Sequence, residues 1–431
     1  MVTRRFLFSA LLAAAAFAHM HTAAAQTFPL LGGYLEGGST RGLTPAHVAP
    51  LDVVILGAYV GWTNNAGLNA GQFAAAAKAI NPNLKAFIYT EISDDTNPPS
   101  RMNEGNSLIA SVPWWALSNG SLVTSDFSGY YTINITAYSN VYNGQNYTKW
   151  RAGQDHSKFL SPNPDVDGLY IDNFYPQPPV TADFTHSGSP QSPSANASIW
   201  RQGFVAYVNN LRAASPASQQ LVIGNIAEWN VGTAITEYVS PSPVLNGGVM
   251  EDIIGRSYSI ESQSVGWAGM MAFYTHVMAS MAAPKLVIFQ QYATTNTDYR
   301  GFRYGFTSCL MENGYYYYNS SNNNDYATFD EFSANLGTAT TPALVFPGAT
   351  PYQNGVYRRD FANGIALVNP KGNGARTVTL ETSYKHLSGT QDPTVNNGQT
   401  VTSVTLQDRD GVILLRTTPQ AVPAAPTLTV Q

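Results

Sequence analysis

One cysteine, Cys309, occurs in 431 residues, so no internal disulfide can form and stability must come from packing. Its apolar helical surroundings, Phe306-Thr307-Ser308-Cys309-Leu310-Met311, predict a buried, unreactive thiol. Charge is equally scarce. Asp, Glu, Lys and Arg make up 11% of the chain, with 22 basic against 27 acidic residues and a net charge of −5. No basic stripe runs along the sequence, so the electrostatic footprint of a nucleic-acid-binding protein is missing. Also absent are H-E-x-x-H, C-x-x-C, G-x-S-x-G and a Walker glycine loop, which removes support for metal, redox, serine-hydrolase and nucleotide chemistry. Beyond the N-terminal leader, His47, His156, His186, His276 and His386 stand far apart. Asp165-Val166-Asp167-Gly168 lacks the later acids of a calcium loop and reads as a turn entering a strand. No metal and no cofactor is expected. What the chain does have is apolar content, 44% hydrophobic and 12% aromatic, enough for a large core and too much for disorder.

Arg4 and Arg5 precede the apolar run Phe6 to Ala18, and Ala23-Ala24-Ala25 offers a small-residue cleavage site. Residues 1–25 are therefore expected to be a signal peptide and the mature protein secreted or periplasmic, without membrane attachment after cleavage. An uncleaved anchor is the competing reading. Val265 to Phe289 is apolar too, but polar residues interrupt it, which predicts a buried helix followed by a buried strand. Two sequons occur, at Asn134 and Asn146.

After residue 30, runs rich in Val, Ile and aromatics alternate with helical patterns. Eight such runs are expected as strands: 32–36, 52–59, 85–91, 168–173, 221–226, 248–252, 285–292 and 314–319. Helices are predicted over 72–80 and 198–213, the second capped by Ser198 or Asn196. The predicted fold is α/β, a (β/α)8 TIM barrel over residues 26–340 with long insertions at 93–153 and 174–197. An open doubly wound sheet is the runner-up, weakened by the missing G-x-G-x-x-G order. Past residue 340, hairpin patterns predict a small antiparallel β-sandwich domain over 341–417, followed by a Pro/Ala-rich tail at 418–431.

In a barrel, catalytic groups project from strand C-termini. Two acids follow the same grammar there, small turn residues, a short apolar run and a terminal carboxyl. They are Asp172 after Gly168-Leu169-Tyr170-Ile171, and Glu251 after Gly247-Gly248-Val249-Met250. A carboxylate at the end of a buried strand must be hydrogen-bonded or used, and the bland alternative is a loop cap or a structural acid. Because strand side chains alternate, only one of Glu251 and Asp252 is expected to face the bowl. Glu251 is favoured, with Asp252 held by neighbours such as Arg256. Paired carboxyls are what glycoside hydrolysis requires. Uncharged sugars suit the remaining strand-end residues, so the candidate substrate-binding set is Tyr59, Trp62, Glu91, Asn173, Tyr175, Asn225, Glu228, Trp229, Asp252, Gln290 and Gln291. Glu36 and Glu91 are further acids near the bowl. The insertion aromatics Trp114, Trp115, Tyr130, Tyr131, Tyr138, Trp150 and Phe174 either stack on sugars or pack the loops down.

The strand Asp167-Gly168-Leu169-Tyr170-Ile171-Asp172-Asn173, with Gly248-Val249-Met250-Glu251 and Val222-Ile223-Gly224-Asn225, resembles the glycoside hydrolase families related to the α-galactosidase and α-amylase-like barrels. The terminal stretches Tyr357-Arg358-Arg359-Asp360-Phe361, Leu367-Val368-Asn369-Pro370 and Asp410-Gly411-Val412-Ile413-Leu414-Leu415 are similar as well. The resemblance implies a nucleophile at the end of the fourth strand, Asp172, and an acid/base at the end of the sixth, Glu251, where many relatives carry Asp. It also implies retention of configuration. The expected activity is hydrolysis of an oligosaccharide or polysaccharide. A catalytically silent carbohydrate-binding barrel is the alternative, and a polysaccharide lyase is disfavoured by the scarcity of Lys and Arg.

Overall fold

The computed structural model describes residues 26–35, 43–57, 62–97, 112, 114–225, 244–320 and 326–418. The expected leader at 1–25, residues 419–431 of the tail, Glu36, Tyr59, Glu228 and Trp229 lie outside the described residues.

Eight short runs form one parallel sheet: β1 (Gly32–Leu35), β2 (Val53–Leu56), β3 (Lys85–Thr90), β4 (Gly168–Ile171), β5 (Leu221–Asn225), β6 (Gly247–Ile254), β7 (Leu286–Ala293) and β8 (Tyr315–Ser320). They neighbour one another in sequence order. A parallel bridge between Leu31 and Tyr316, with Tyr316 N donating to Leu30 O at 2.9 Å, joins β8 to the start of β1 and closes the ring. Strands such as Val-Val-Ile-Leu in β2 are buried on both faces, which is why they read as continuous apolar runs rather than alternating ones. This is a TIM barrel.

Crossover helices cover the outside: α1 (Ala70–Ile80), α2 (Tyr147–Asp155), α3 (Pro193–Ala214), α4 (Gly266–Ser280) and α5 (Tyr299–Leu310). Helix α3 starts five residues before the expected 198. Ser192 caps it, accepting from Ala195 N at 3.3 Å, and Pro193 fits the first turn, where no N–H is needed. The apolar stretch 265–289 is the buried helix α4 leading into β7. Among the described residues no helix is long and apolar enough to cross a membrane. Burial pushes the Cys309 thiol up to about 12, as the inert reading requires. The two sequon asparagines are placed differently. Asn134 is buried and donates to Phe184 O, and the Asn146 side chain caps α2.

The C-terminal strands β9 (Tyr357–Phe361), β10 (Gly364–Asn369), β11 (Arg376–His386), β12 (Thr400–Leu406) and β13 (Asp410–Arg416) form an antiparallel sheet in the order 9-10-13-11-12. It is one continuous sheet. An irregularity between Thr379 and Tyr384 breaks its regular pairing, and Ile365, Leu367, Val378, Leu380, Val404 and Leu414 share one apolar core. The other face packs on α5 through Ala366, Val368 and Ile413. Buried Arg303 of α5 bonds Gly411 O and pairs with Asp410 and Asp392.

Candidate active site

Parallel pairing carries one register around the ring. Tyr89 pairs with Tyr170, which pairs with Ile223, and Asn225 pairs with Val249, which pairs with Ile288. Counting by twos along each strand then places Asp172, Asn225, Glu251 and Gln290 on one face, at the C-terminal ends. Beneath them Tyr34, Tyr89 and Tyr170 pack together inside the barrel, with ring centroids 5.2 to 6.4 Å apart.

Asp172 is held by four neutral donors. Tyr89 Oη donates to Oδ2 at 2.5 Å; Tyr170 Oη, Asn173 N and Asn225 Nδ2 donate to Oδ1 at 3.2, 2.9 and 3.0 Å. The same Asn225 nitrogen donates to Glu251 Oε2 at 2.7 Å. Those two carboxyl oxygens are therefore no more than about 5.7 Å apart, and the divergence of the two amide hydrogens puts them at roughly 5 Å. Both acids are partly exposed, so a ligand can reach them. Each is followed by a residue in left-handed conformation, Asn173 at φ 50° and Asp252 at φ 47°. Asn and Asp tolerate that region better than most side chains.

At the end of β6 strict alternation fails. Pairing with β7 shifts between Met250 and Ile254, so Glu251 and Asp252 both remain at the mouth, turned toward opposite neighbours, instead of one facing in and the other out. Glu251 meets Asn225 of β5. Asp252 accepts from Gln290 Nε2 of β7 at 2.9 Å, from Arg256 Nε at 3.0 Å and from Tyr258 Oη at 3.1 Å, and its carbonyl accepts from Ser259 Oγ. Arg256 also stacks over Tyr292, 3.2 Å from the ring centroid. Asp252 is thus a tied, buried acid that holds the loop in place, while its neighbour Glu251 is the more open one.

By the same register Glu91, two residues beyond Tyr89, lies on the face of Asp172. It is buried, and Oε1 turns back to accept from Ser93 N at 2.5 Å and Ser93 Oγ at 2.6 Å, while Oε2 has no hydrogen-bond partner among the described residues. Burial first, then the charges of Asp94 and Asp172, raise its pKa well above the usual range. Asp94 is pushed up to about 7, chiefly by burial and further by Asp95 and Asp172, against a lowering bond from Ser125.

The remaining candidates that the structure describes take these places. Trp62 is buried and meets Phe73 edge-on at 6.0 Å, so it belongs to the packing under α1. Gln291 points out of the barrel. Its amide donates to Gly301 O of α5 and accepts from Tyr316 Oη, and a side chain at Gly305 would collide with its oxygen at 1.7 Å. Asn173 contributes its backbone N–H to Asp172, and Tyr175 donates its own backbone N–H to Asn173 O. Most insertion aromatics pack the loops down: Trp114, Trp115, Trp150 and Phe174 are buried, with Trp114 against Trp150 at 4.7 Å and Phe174 against Phe204 at 4.3 Å. Tyr89 and Tyr170 escaped the sequence reading because an inward tyrosine within an apolar strand looks like core. Their spacing of two residues from Glu91 and Asp172 was the available signal.

Two carboxyl groups facing one amide lie at the mouth of this TIM barrel, the end where barrel enzymes carry their reactive side chains. The model of hypothetical glycosyl hydrolase family 15 matches residues 78–365. The chain belongs to that family and is a glycoside hydrolase. Solved structures similar to it include the glycoside hydrolase domain of PelA from Pseudomonas aeruginosa, at 12% identity and TM-score 0.42, covering 70% of this chain and 98% of that one. Another is a maltogenic alpha-amylase from Thermotoga neapolitana, at 8% identity and TM-score 0.48, covering 90% and 98%. A third is the alpha-amylase of Geobacillus thermoleovorans, at 9% and 0.45, covering 89% and 96%. No curated protein matches the chain.

Proposed function

We propose that this glycosidase is exported and cleaves O-glycosidic bonds of an oligosaccharide or polysaccharide with retention of configuration, Asp172 acting as nucleophile and Glu251 as general acid/base. The observation that carries the reading is the single Asn225 amide donating to both carboxyls. An Oδ1 to Oε2 separation of at most about 5.7 Å supports retention, since it lies nearer the ~5–5.5 Å of retaining enzymes than the ~6.5–9.5 Å of inverting ones. The four donors to Asp172 are all neutral and fix its orientation at the mouth. Oδ1 carries three of them, which leaves Oδ2 with the freer lone pair.

In the first step Asp172 Oδ2 bonds to the anomeric carbon while the carbon–oxygen bond to the leaving group breaks. Its electron pair goes to the glycosidic oxygen, which takes the proton of Glu251. In the second step the Glu251 carboxylate removes a proton from water, the water oxygen bonds to the anomeric carbon, and the ester pair returns to Asp172. Export rests on Arg4, Arg5 and the apolar run that follows.

The purified protein is to be screened against a panel of oligosaccharides and polysaccharides, with proton NMR of the first-formed product. The expected outcome is a cleaved glycan whose product keeps its anomeric configuration, with a 2-fluoro glycoside of the same sugar trapped on the Asp172 peptide. Inversion, or a trapped adduct on a different acid, overturns the assignment.

A further inference from the structure

We propose that Tyr258 is a sugar-stacking platform for the leaving-group unit, the first ring beyond the scissile bond on the acid/base side; this rests on the two-acid reading above. Tyr258 is 59% exposed, one of few large hydrophobic side chains so open among the described residues. Yet its ring is not loose. The hydroxyl is anchored to Asp252 Oδ2, and Asp252 is itself fixed by Gln290 and Arg256. Ser259 ties the turn beneath it, donating to Asp252 O and accepting from Arg256 N at 2.8 Å. An exposed aromatic face held in one orientation loses little entropy when a ligand covers it, which suits a binding platform and not a solvent-facing loop tip.

Strand order gives the occupant. Asp172, Asn225, Glu251 and Asp252 follow one another from β4 to β6, and Asp252 turns on toward β7. Tyr258 lies past Glu251, on the side away from Asp172, and the charges of Asp252 and Glu251 add to burial in raising its phenol to about 12. A nucleophile attacks opposite the bond it breaks, so the departing sugar lies away from Asp172, beside the group that protonates it. The apolar C–H face of an uncharged pyranose matches the ring. The nearby cation Arg256 is spent between Asp252 and the face of Tyr292.

The test compares a substrate that has a leaving-group sugar with one that has none. Wild type, Tyr258→Ala and Tyr258→Phe are assayed on α- and β-D-glucosyl and galactosyl fluorides and on malto-, cello- and galacto-oligosaccharides of two to six units. Tyr258→Ala should lower kcat/KM for the cleaved oligosaccharide about tenfold, the cost of one stacked ring, and leave fluoride release within about twofold. Tyr258→Phe, which keeps the ring and loses its anchor to Asp252, should fall between wild type and Tyr258→Ala on the oligosaccharide and leave fluoride release within about twofold. A parallel loss on both substrate types in both variants would mean that Tyr258 acts through Asp252, and no loss on the oligosaccharide would mean that the ring is idle; either result overturns the proposal. Failure of the wild type on every fluoride and oligosaccharide would count instead against the two-acid reading.

Discussion

The two ends of strand β4 carry chemically identical groups in opposite circumstances. Asp167, just before the strand, is buried and paired with Lys78 at 2.6 Å and Lys85 at 2.9 Å, and it accepts from Ala86 N. Asp172, just after it, meets two phenols, an amide and a backbone N–H, all neutral, and stays partly open. Two ammonium groups cancel the first carboxylate and knit α1 and β3 to β4. Neutral donors orient the second and leave it without an ion-pair partner among the described residues. The floor of the barrel uses its acid as a clamp, and the mouth keeps its acid unspent.

The sharpest way to break that contrast is to neutralise each end in turn. Asp172→Asn and Glu251→Gln should each lower kcat by about 10³ or more while the unfolding midpoint in urea barely moves, because only the mouth loses its reactive group. Asp167→Asn should do the reverse. It costs about 2 kcal/mol of stability by stranding Lys78 and Lys85, and it leaves kcat per folded molecule unchanged. Activity lost at both ends in proportion to stability would show that the mouth carboxyls are also structural.

A smaller effect tests whether neutral donors matter. Tyr89→Phe removes the 2.5 Å bond to Asp172 Oδ2 without emptying the barrel. Losing one of the donors that orient the carboxyl weakens its placement at the mouth, so kcat should fall by roughly ten- to thirtyfold while the unfolding midpoint stays near wild type. An unchanged kcat would remove Tyr89 from the machinery and leave it as core.

The contrast also explains what could be read from the sequence. All eight strands fall within a few residues of their expected positions, because strands buried on both faces must be apolar throughout, and the punctuation around them is glycine and proline. Asp172 and Glu251 stand out since each interrupts such a run. Tyr89, Asn225 and Tyr258 could not be assigned their contacts, which depend on register between strands and on a loop that returns to Asp252. Alternation misplaced Asp252 because the shift in pairing after Met250 is set by β7, not by β6 alone. Gln291 looks identical to Gln290 in sequence; what turns it outward is a parity of one and the space left by Gly305. Glu91 sits at a strand end like Asp172, but Ser93, two residues on, folds its carboxyl back.

The smallest expected effect separates the mouth from the floor by pH. Asp94, near Asp172, has its pKa raised from 3.8 to about 7 mainly by burial, and Asp52, which caps Leu31 N at the floor, is raised to about 6 by the same cause. A raised acid stabilises the fold fully below its unfolded value and loses that contribution as pH climbs through the folded value. Wild-type stability should therefore decline between pH 4 and pH 7, with the Asp52 share exhausted near pH 6 and the Asp94 share near pH 7. Asp94→Asn removes the second share. The stability difference between pH 5 and pH 8, measured by urea unfolding, should narrow by roughly 1–2 kcal/mol. Asp52→Asn should narrow it by less, with the change confined below pH 6. Equal narrowing by both variants, or none by Asp94→Asn, would mean that the crowding of acids at the mouth carries no stability cost and that the two ends of the barrel are electrostatically alike.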